Sequence, residues 1–85
     1  MAILYSSRFE REYRKLPDDV KRAAEAKEKI FRKDHFDPRL KTHKLAGELE
    51  GFWSFWVTYS YRIIFDFEDE GTIRFYRIGT HDIYE

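Results

Sequence analysis

The chain has no cysteine, which excludes disulfides and thiolate metal sites and leaves nothing pointing to an oxidising compartment. Its three histidines stand at positions 35, 43 and 81. None is paired at i, i+4, so no metal-ligand spacing is present, and neither a metal nor a cofactor is expected. Glycine is scarce, at four residues, and none builds a phosphate-cradling loop. No serine sits in the Gly-x-Ser-x-Gly setting of a nucleophile elbow. No apolar run is long enough to span a bilayer, and the opening Met1-Ala2-Ile3-Leu4-Tyr5 is too short for the apolar region of a signal peptide, so the cytoplasm is the expected location. A surplus of charge is also missing. The 16 Lys and Arg balance the 16 Asp and Glu, whereas a simple nucleic-acid-binding domain is basic.

What is plentiful is aromatic surface. Eight Phe, six Tyr and two Trp occur among 85 residues, and a few such rings can hold together the one modest core that residues 1–85 allow. Charge is also unevenly placed. Residues 1–34 hold ten basic and seven acidic side chains; residues 35–85 hold six and nine. In that second part Arg39, Lys41 and Lys44 cluster with His35 and His43, interrupted only by Asp37. The acids gather at Glu48, Glu50 and the Glu68-Asp69-Glu70 turn. A local positive patch on a neutral body is compatible with this distribution.

Periodicity predicts an α+β domain in the order β-α-α-β-β-β. Ile3-Leu4-Tyr5 reads as a short strand. Ser7 and Glu10 have capping-box spacing, so a helix is expected to begin at Ser7, with Phe9, Tyr13 and Leu16 on one stripe. Pro17 ends that helix and suits the first turn of the next, where Asp18 and Asp19 favour the positive end of the dipole. Val20, Ala23, Ala24, Ile30 and Phe31 carry the second helix to about Asp34, with Lys27 as a polar break in its stripe. Residues 35–51 lack a period and read as loop. Three strands are then expected: Phe52 to Tyr59, Tyr61 to Glu68 and Thr72 to Ile78. They form an antiparallel twisted sheet with the helical hairpin on one face. Arg62 alternates with Ile63 and Phe65, so it points out of the opposite face, either simply solvated or as an anion-binding guanidinium. Gly79-Thr80-His81-Asp82-Ile83-Tyr84-Glu85 then places an imidazole and a phenol three residues apart at the end of the chain.

Three segments in order, Leu40-Lys41-Thr42-His43-Lys44-Leu45-Ala46-Gly47, Tyr61-Arg62-Ile63-Ile64-Phe65 and Ile78-Gly79-Thr80-His81-Asp82-Ile83-Tyr84, resemble the RelE/ParE superfamily of toxins from bacterial toxin–antitoxin modules. The likeness is nearest to the RelE branch of ribosome-dependent mRNA interferases and covers nearly the whole chain. It implies a RelE-like fold and cleavage of the mRNA codon in the ribosomal A site without metal, by attack of the RNA 2′-hydroxyl on the adjacent phosphate. By the same resemblance His81 is the general acid, in keeping with a free imidazole titrating at about 6.5. Arg62 stabilises the phosphorane, His43 is the base, and Tyr84 stacks on or orients a nucleobase. Arg39, Lys41 and Lys44 supply RNA contacts. The implied partners are a cognate antitoxin, for which Trp56 is a contact if it is not buried, and a ribosome with bound mRNA.

The chain departs from its relatives in its neutrality and in lacking the carboxylate some of them place before the His-x-Leu-x-Gly segment. Glu48 or Glu50 would have to replace such a base. A ParE-like toxin that inhibits DNA gyrase without cutting RNA is the alternative function, and a degenerate toxin kept as a binding module is a third.

Overall fold

The computed structural model describes residues 1–84. Strand β1 (Ala2–Tyr5) leads into helix α1 (Ser7–Arg14) and helix α2 (Asp18–Lys33). A 3-10 turn at Pro38–Leu40, strand β2 (His43–Lys44) and a 3-10 turn at Gly47–Leu49 follow. Strands β3 (Trp53–Trp56), β4 (Arg62–Asp69) and β5 (Thr72–Gly79) run as successive hairpins, and a last 3-10 turn spans His81–Tyr84. The five strands form one sheet in the order β1-β5-β4-β3-β2. The result is the expected small α+β domain.

The sheet is mixed rather than antiparallel throughout, because β1 pairs with β5 in parallel. Tight turns dictate the antiparallel pairing of β3, β4 and β5, but the two helices separate β1 from the rest and release its direction from any turn. Strand β2 lies inside the stretch expected to be loop. At two residues it is too short to carry a period, yet it pairs with Trp53 and Ser54. Strand β3 ends at Trp56 instead of Tyr59, because Val57 and Thr58 both donate to the carbonyl of Tyr61 and close the turn, at 2.9 and 3.3 Å.

Helix α1 is capped by Ser6, not Ser7. The Ser6 Oγ accepts from the Phe9 N–H at 2.9 Å and donates to the Tyr76 carbonyl at 2.6 Å. Its own N–H donates to Phe75 at 3.0 Å, so the β1 ladder runs straight into the cap while Ser7 stays exposed. Beyond β1 the edge of β5 would be bare, and α1 covers it. One Glu12 oxygen accepts from the Ile78 N–H at 3.2 Å and the other from Arg77 Nη2 at 2.7 Å. A free strand edge is thereby closed by a helix side chain.

The core lies between the helices and one sheet face. Phe31, fully buried, packs its ring against Phe55 of β3, Phe65 of β4 and Phe75 of β5, with centroids 4.8, 4.9 and 5.4 Å away. Phe9, Val20, Ala24, Leu40, Val57, Ile63, Ile73 and Ile78 complete the cluster. Lys27, the polar break in α2, donates its Nζ to the Val57 carbonyl at 3.1 Å; the break in the stripe is a tie to the β3–β4 turn.

Ser6→Ala removes a cap and a bond to β5 together and is expected to cost about 1–2 kcal/mol. Ser7→Ala is expected to stay within about 0.5 kcal/mol of wild type. Urea denaturation of the two variants checks both, and equal losses would show that Ser6 is not the cap.

Candidate functional site

With Phe55, Ile63 and Phe65 turned toward the helices, strand alternation sends Ser54, Trp56, Arg62 and Ile64 to the other face. Register then lines up two rows across it. One joins His43, Ser54, Ile64 and Arg77; the other joins Trp56, Arg62 and Gly79. Arg77 leaves its row to reach Glu12 around the sheet edge.

Arg62 does face away from the helices, but it is not a solvated side chain: it is only 6% exposed. Its Nη1 donates to the carbonyls of Thr58, Tyr59 and Tyr61 at 2.7, 2.6 and 3.2 Å. Its guanidinium carbon lies 4.0 Å from the centre of the Trp56 ring. One nitrogen of the guanidinium thus holds the β3–β4 turn closed, and the group keeps a fixed positive charge against an aromatic face.

A second cation meets the same indole, the Lys41 ammonium at 5.2 Å. Lys41 has φ 51°, the one non-glycine residue with positive φ among those described. This left-handed kink also aims its carbonyl at the His43 ring, with Nδ1 3.0 Å away. A carbonyl can only accept, so Nδ1 carries the hydrogen and Nε2 of the neutral ring keeps its lone pair.

The end of the chain is fastened onto this face. Ile83 is buried and its N–H bonds back to the Thr80 carbonyl at 3.1 Å. Gly79 is required beneath it, since a Cβ there would lie 2.6 Å from Ile83 Cγ2. The Tyr84 hydroxyl is 2.6 Å from Ser54 Oγ, and Ser54 is wholly buried. This bond sets Tyr84 beside the row that contains His43. The exposed His81 ring lies 6.4 Å from the Tyr84 ring, centre to centre.

His43, Arg62, His81 and Tyr84 thus belong to one sheet face and the turn that closes over it, with Lys41 beside them. Arg39 and Lys44 do not join. Arg39 grips Asp37 through Nε and Nη2, at 3.0 and 2.9 Å, and that guanidinium holds the Asp37 carboxyl down to about 2. Lys44 pairs in register with Trp53 and sits over its ring, on the side of the sheet that faces the core. Glu48 lies in the exposed Gly47–Leu49 turn, and Glu50 directly follows it. His35, within the sequence cluster, stacks on Phe31 at 4.4 Å and bonds its carbonyl, a part of the core. Trp56 is half-buried beneath its two cations. Sequence patterning did not single out Ser54, although a lone small hydroxyl inside an aromatic strand is the signal that marks it. Among the described residues no three metal-binding side chains converge, and no helix is long and apolar enough to cross a membrane.

The fold has close counterparts. YafQ from E. coli strain BL21(DE3) superposes with a TM-score of 0.79 at 20% identity, covering 96% of this chain and 94% of that one. A YoeB/ParE toxin from Agrobacterium tumefaciens gives 0.80 at 15% identity, over 95% and 99% of the two chains. A chain of the E. coli DinJ–YafQ toxin–antitoxin complex gives 0.75 at 21% identity, over 95% and 92%. No curated protein matches the sequence. The family model described as a bacterial toxin of type II toxin–antitoxin systems, YafQ, matches residues 1–84. The chain therefore belongs to the YafQ family of type II toxins, within the RelE/ParE superfamily.

Proposed function

We propose that this toxin is a metal-independent endoribonuclease that cleaves mRNA codons in the ribosomal A site and is silenced by a cognate antitoxin. The observation that supports the reading is that His43 and the fixed guanidinium of Arg62 lie in neighbouring rows of one sheet face, to which Tyr84 is tied through Ser54 with the His81 ring 6.4 Å away. His43 Nε2, freed by the bond from Nδ1 to the Lys41 carbonyl, takes the proton of the 2′-hydroxyl. The 2′-oxygen forms a bond to phosphorus, the bond to the 5′-oxygen breaks, and His81 protonates the leaving oxygen. Positive charge from Arg62 and Lys41 offsets the charge that develops on the phosphorane. Tyr84, its hydroxyl pinned to Ser54, offers a ring of fixed orientation for a nucleobase.

The antitoxin reading is supported by relatives. Solved complexes pair E. coli YafQ with DinJ and the Staphylococcus aureus YoeB with YefM.

His81→Ala is expected to slow cleavage of ribosome-bound mRNA by roughly 100- to 10,000-fold, with an unchanged melting temperature because the side chain is exposed. Primer extension across the A-site codon reads the cut. A wild-type protein that leaves ribosomal mRNA intact but blocks DNA supercoiling by gyrase would overturn the nuclease in favour of the gyrase reading.

Arg62 behaves differently, because its guanidinium also holds three backbone carbonyls. Arg62→Ala is expected to lose about 1–3 kcal/mol of stability along with cleavage. Arg62→Lys restores charge but not the planar fork and is expected to recover only part of either. Denaturation and cleavage measured on the same preparations check this; an Arg62→Ala protein of wild-type stability would show that the carbonyl bonds are not what the arginine supplies to the fold.

A further inference from the structure

At the tip of the β3–β4 turn stands Tyr59, 79% exposed, the most exposed large hydrophobic residue among those described. Exposed aromatics on turns are usually carried by mobile backbone, but this turn is tied at every residue. Val57 donates its N–H to Tyr61 and accepts from Lys27 Nζ, at 2.9 and 3.1 Å. The Thr58 hydroxyl accepts from the N–H groups of Ser60 and Tyr61, both at 3.2 Å. Arg62 Nη1 closes on the carbonyls of Thr58, Tyr59 and Tyr61. Tyr59 also meets the Trp56 ring edge-on, 5.8 Å between centres and 87° between planes. A rigid scaffold thus presents an aromatic face to solvent at little further ordering cost when a ligand stacks on it.

Its setting narrows the ligand. The turn follows Trp56 and precedes Arg62, and the row of Trp56 and Arg62 ends at Gly79, directly before the turn that carries His81. Tyr59 and His81 therefore project from the same end of the sheet. Two cations, Arg62 and Lys41, gather on the Trp56 indole, the ring that Tyr59 meets edge-on. An exposed aromatic beside fixed positive charge fits a nucleotide, base on the ring and phosphate near the ammonium.

We propose that Tyr59 is a base-stacking subsite for a nucleotide of single-stranded RNA flanking the scissile bond, with Lys41 contacting its phosphate. This rests on the nuclease reading for the position of the scissile bond. The subsite makes the turn a second stacking surface besides Tyr84, at the end of the sheet that also carries His81.

The test compares wild type with Tyr59→Ala, Tyr59→Phe and Tyr59→Trp on ribosomes programmed with mRNA. Cleavage is measured on ordinary message, and affinity on message whose A-site codon lacks the attacking 2′-hydroxyl. Tyr59→Ala is expected to weaken affinity and raise KM by roughly 5- to 100-fold with kcat nearly unchanged, while the Phe and Trp variants keep wild-type values. A Tyr59→Ala protein with wild-type affinity and KM would overturn the proposal. Weakened binding to the antitoxin alone would overturn it too, and would make the turn a protein contact. If wild type cuts nothing yet its affinity for the uncleavable message falls in Tyr59→Ala, the stacking stands and the nuclease reading fails.

Discussion

One ring decides which side chains this sheet turns away from its core. Phe31 reaches down from α2 and touches one phenylalanine on each of the three central strands, Phe55, Phe65 and Phe75. Side chains alternate along a strand, so fixing these three inward fixes everything between them outward. Ser54, Trp56, Arg62 and Ile64 are the outward set. A register slip of one residue in β4 would turn Arg62 to the core face and strip it of its carbonyl partners, burying an unpaired guanidinium at a cost that a domain of this size could not offset. The hydrophobic cluster therefore specifies the site without containing any part of it.

Strand β5 keeps that parity only by breaking it once. Pairing shifts between Ile64 opposite Arg77 and Phe65 opposite Phe75, which leaves Tyr76 as an extra residue. Without the bulge, Ile78 would turn outward and Gly79 inward; with it, Ile78 joins the core and Gly79 faces Arg62. This is what allows the last turn to fold back over the outward face, with Ile83 packed on a residue that has no Cβ. Apolar inward positions at 73, 75 and 78 break the strict alternation of a plain strand, and the aromatic Tyr76 between them masks the break. The helices and strand β4 were readable because each repeats a period several times, whereas the continuous aromatic run of β3 marked a strand without marking its end. Strand β2, the direction of β1 and the choice of Ser6 over Ser7 were not, because each rests on one or two long-range backbone bonds that leave no period in the sequence.

The charge pattern shows how sequence proximity differs from spatial proximity. Arg39, Lys41 and Lys44 form one basic cluster in sequence, yet the fold sends them three ways. The 3-10 turn at Pro38–Leu40 folds Arg39 back onto Asp37. The pleat of β2 puts Lys44 over Trp53, and only Lys41 reaches the face with His43 and Trp56. A stretch that strand geometry divides between two faces cannot act as one patch.

These placements bear on the chain's neutrality. A balanced protein has little long-range attraction for RNA, and physiological salt screens what there is beyond about 8 Å. Positive charge that acts at all must then act at contact. Arg62 suits that requirement, since three carbonyls and an indole fix its guanidinium with little freedom left to lose. The partly desolvated setting strengthens its field over short distances relative to a cation in open water. Asp66 and Glu68 lie toward the opposite end of β4, where Arg74 engages them at 3.2 and 3.0 Å, so their charge is answered locally and away from the corner that holds Lys41 and Arg62. Zero net charge and a positive site are therefore compatible. The sum is taken over the whole chain, whereas Lys41 and Arg62 gather on one indole at one end of one sheet face.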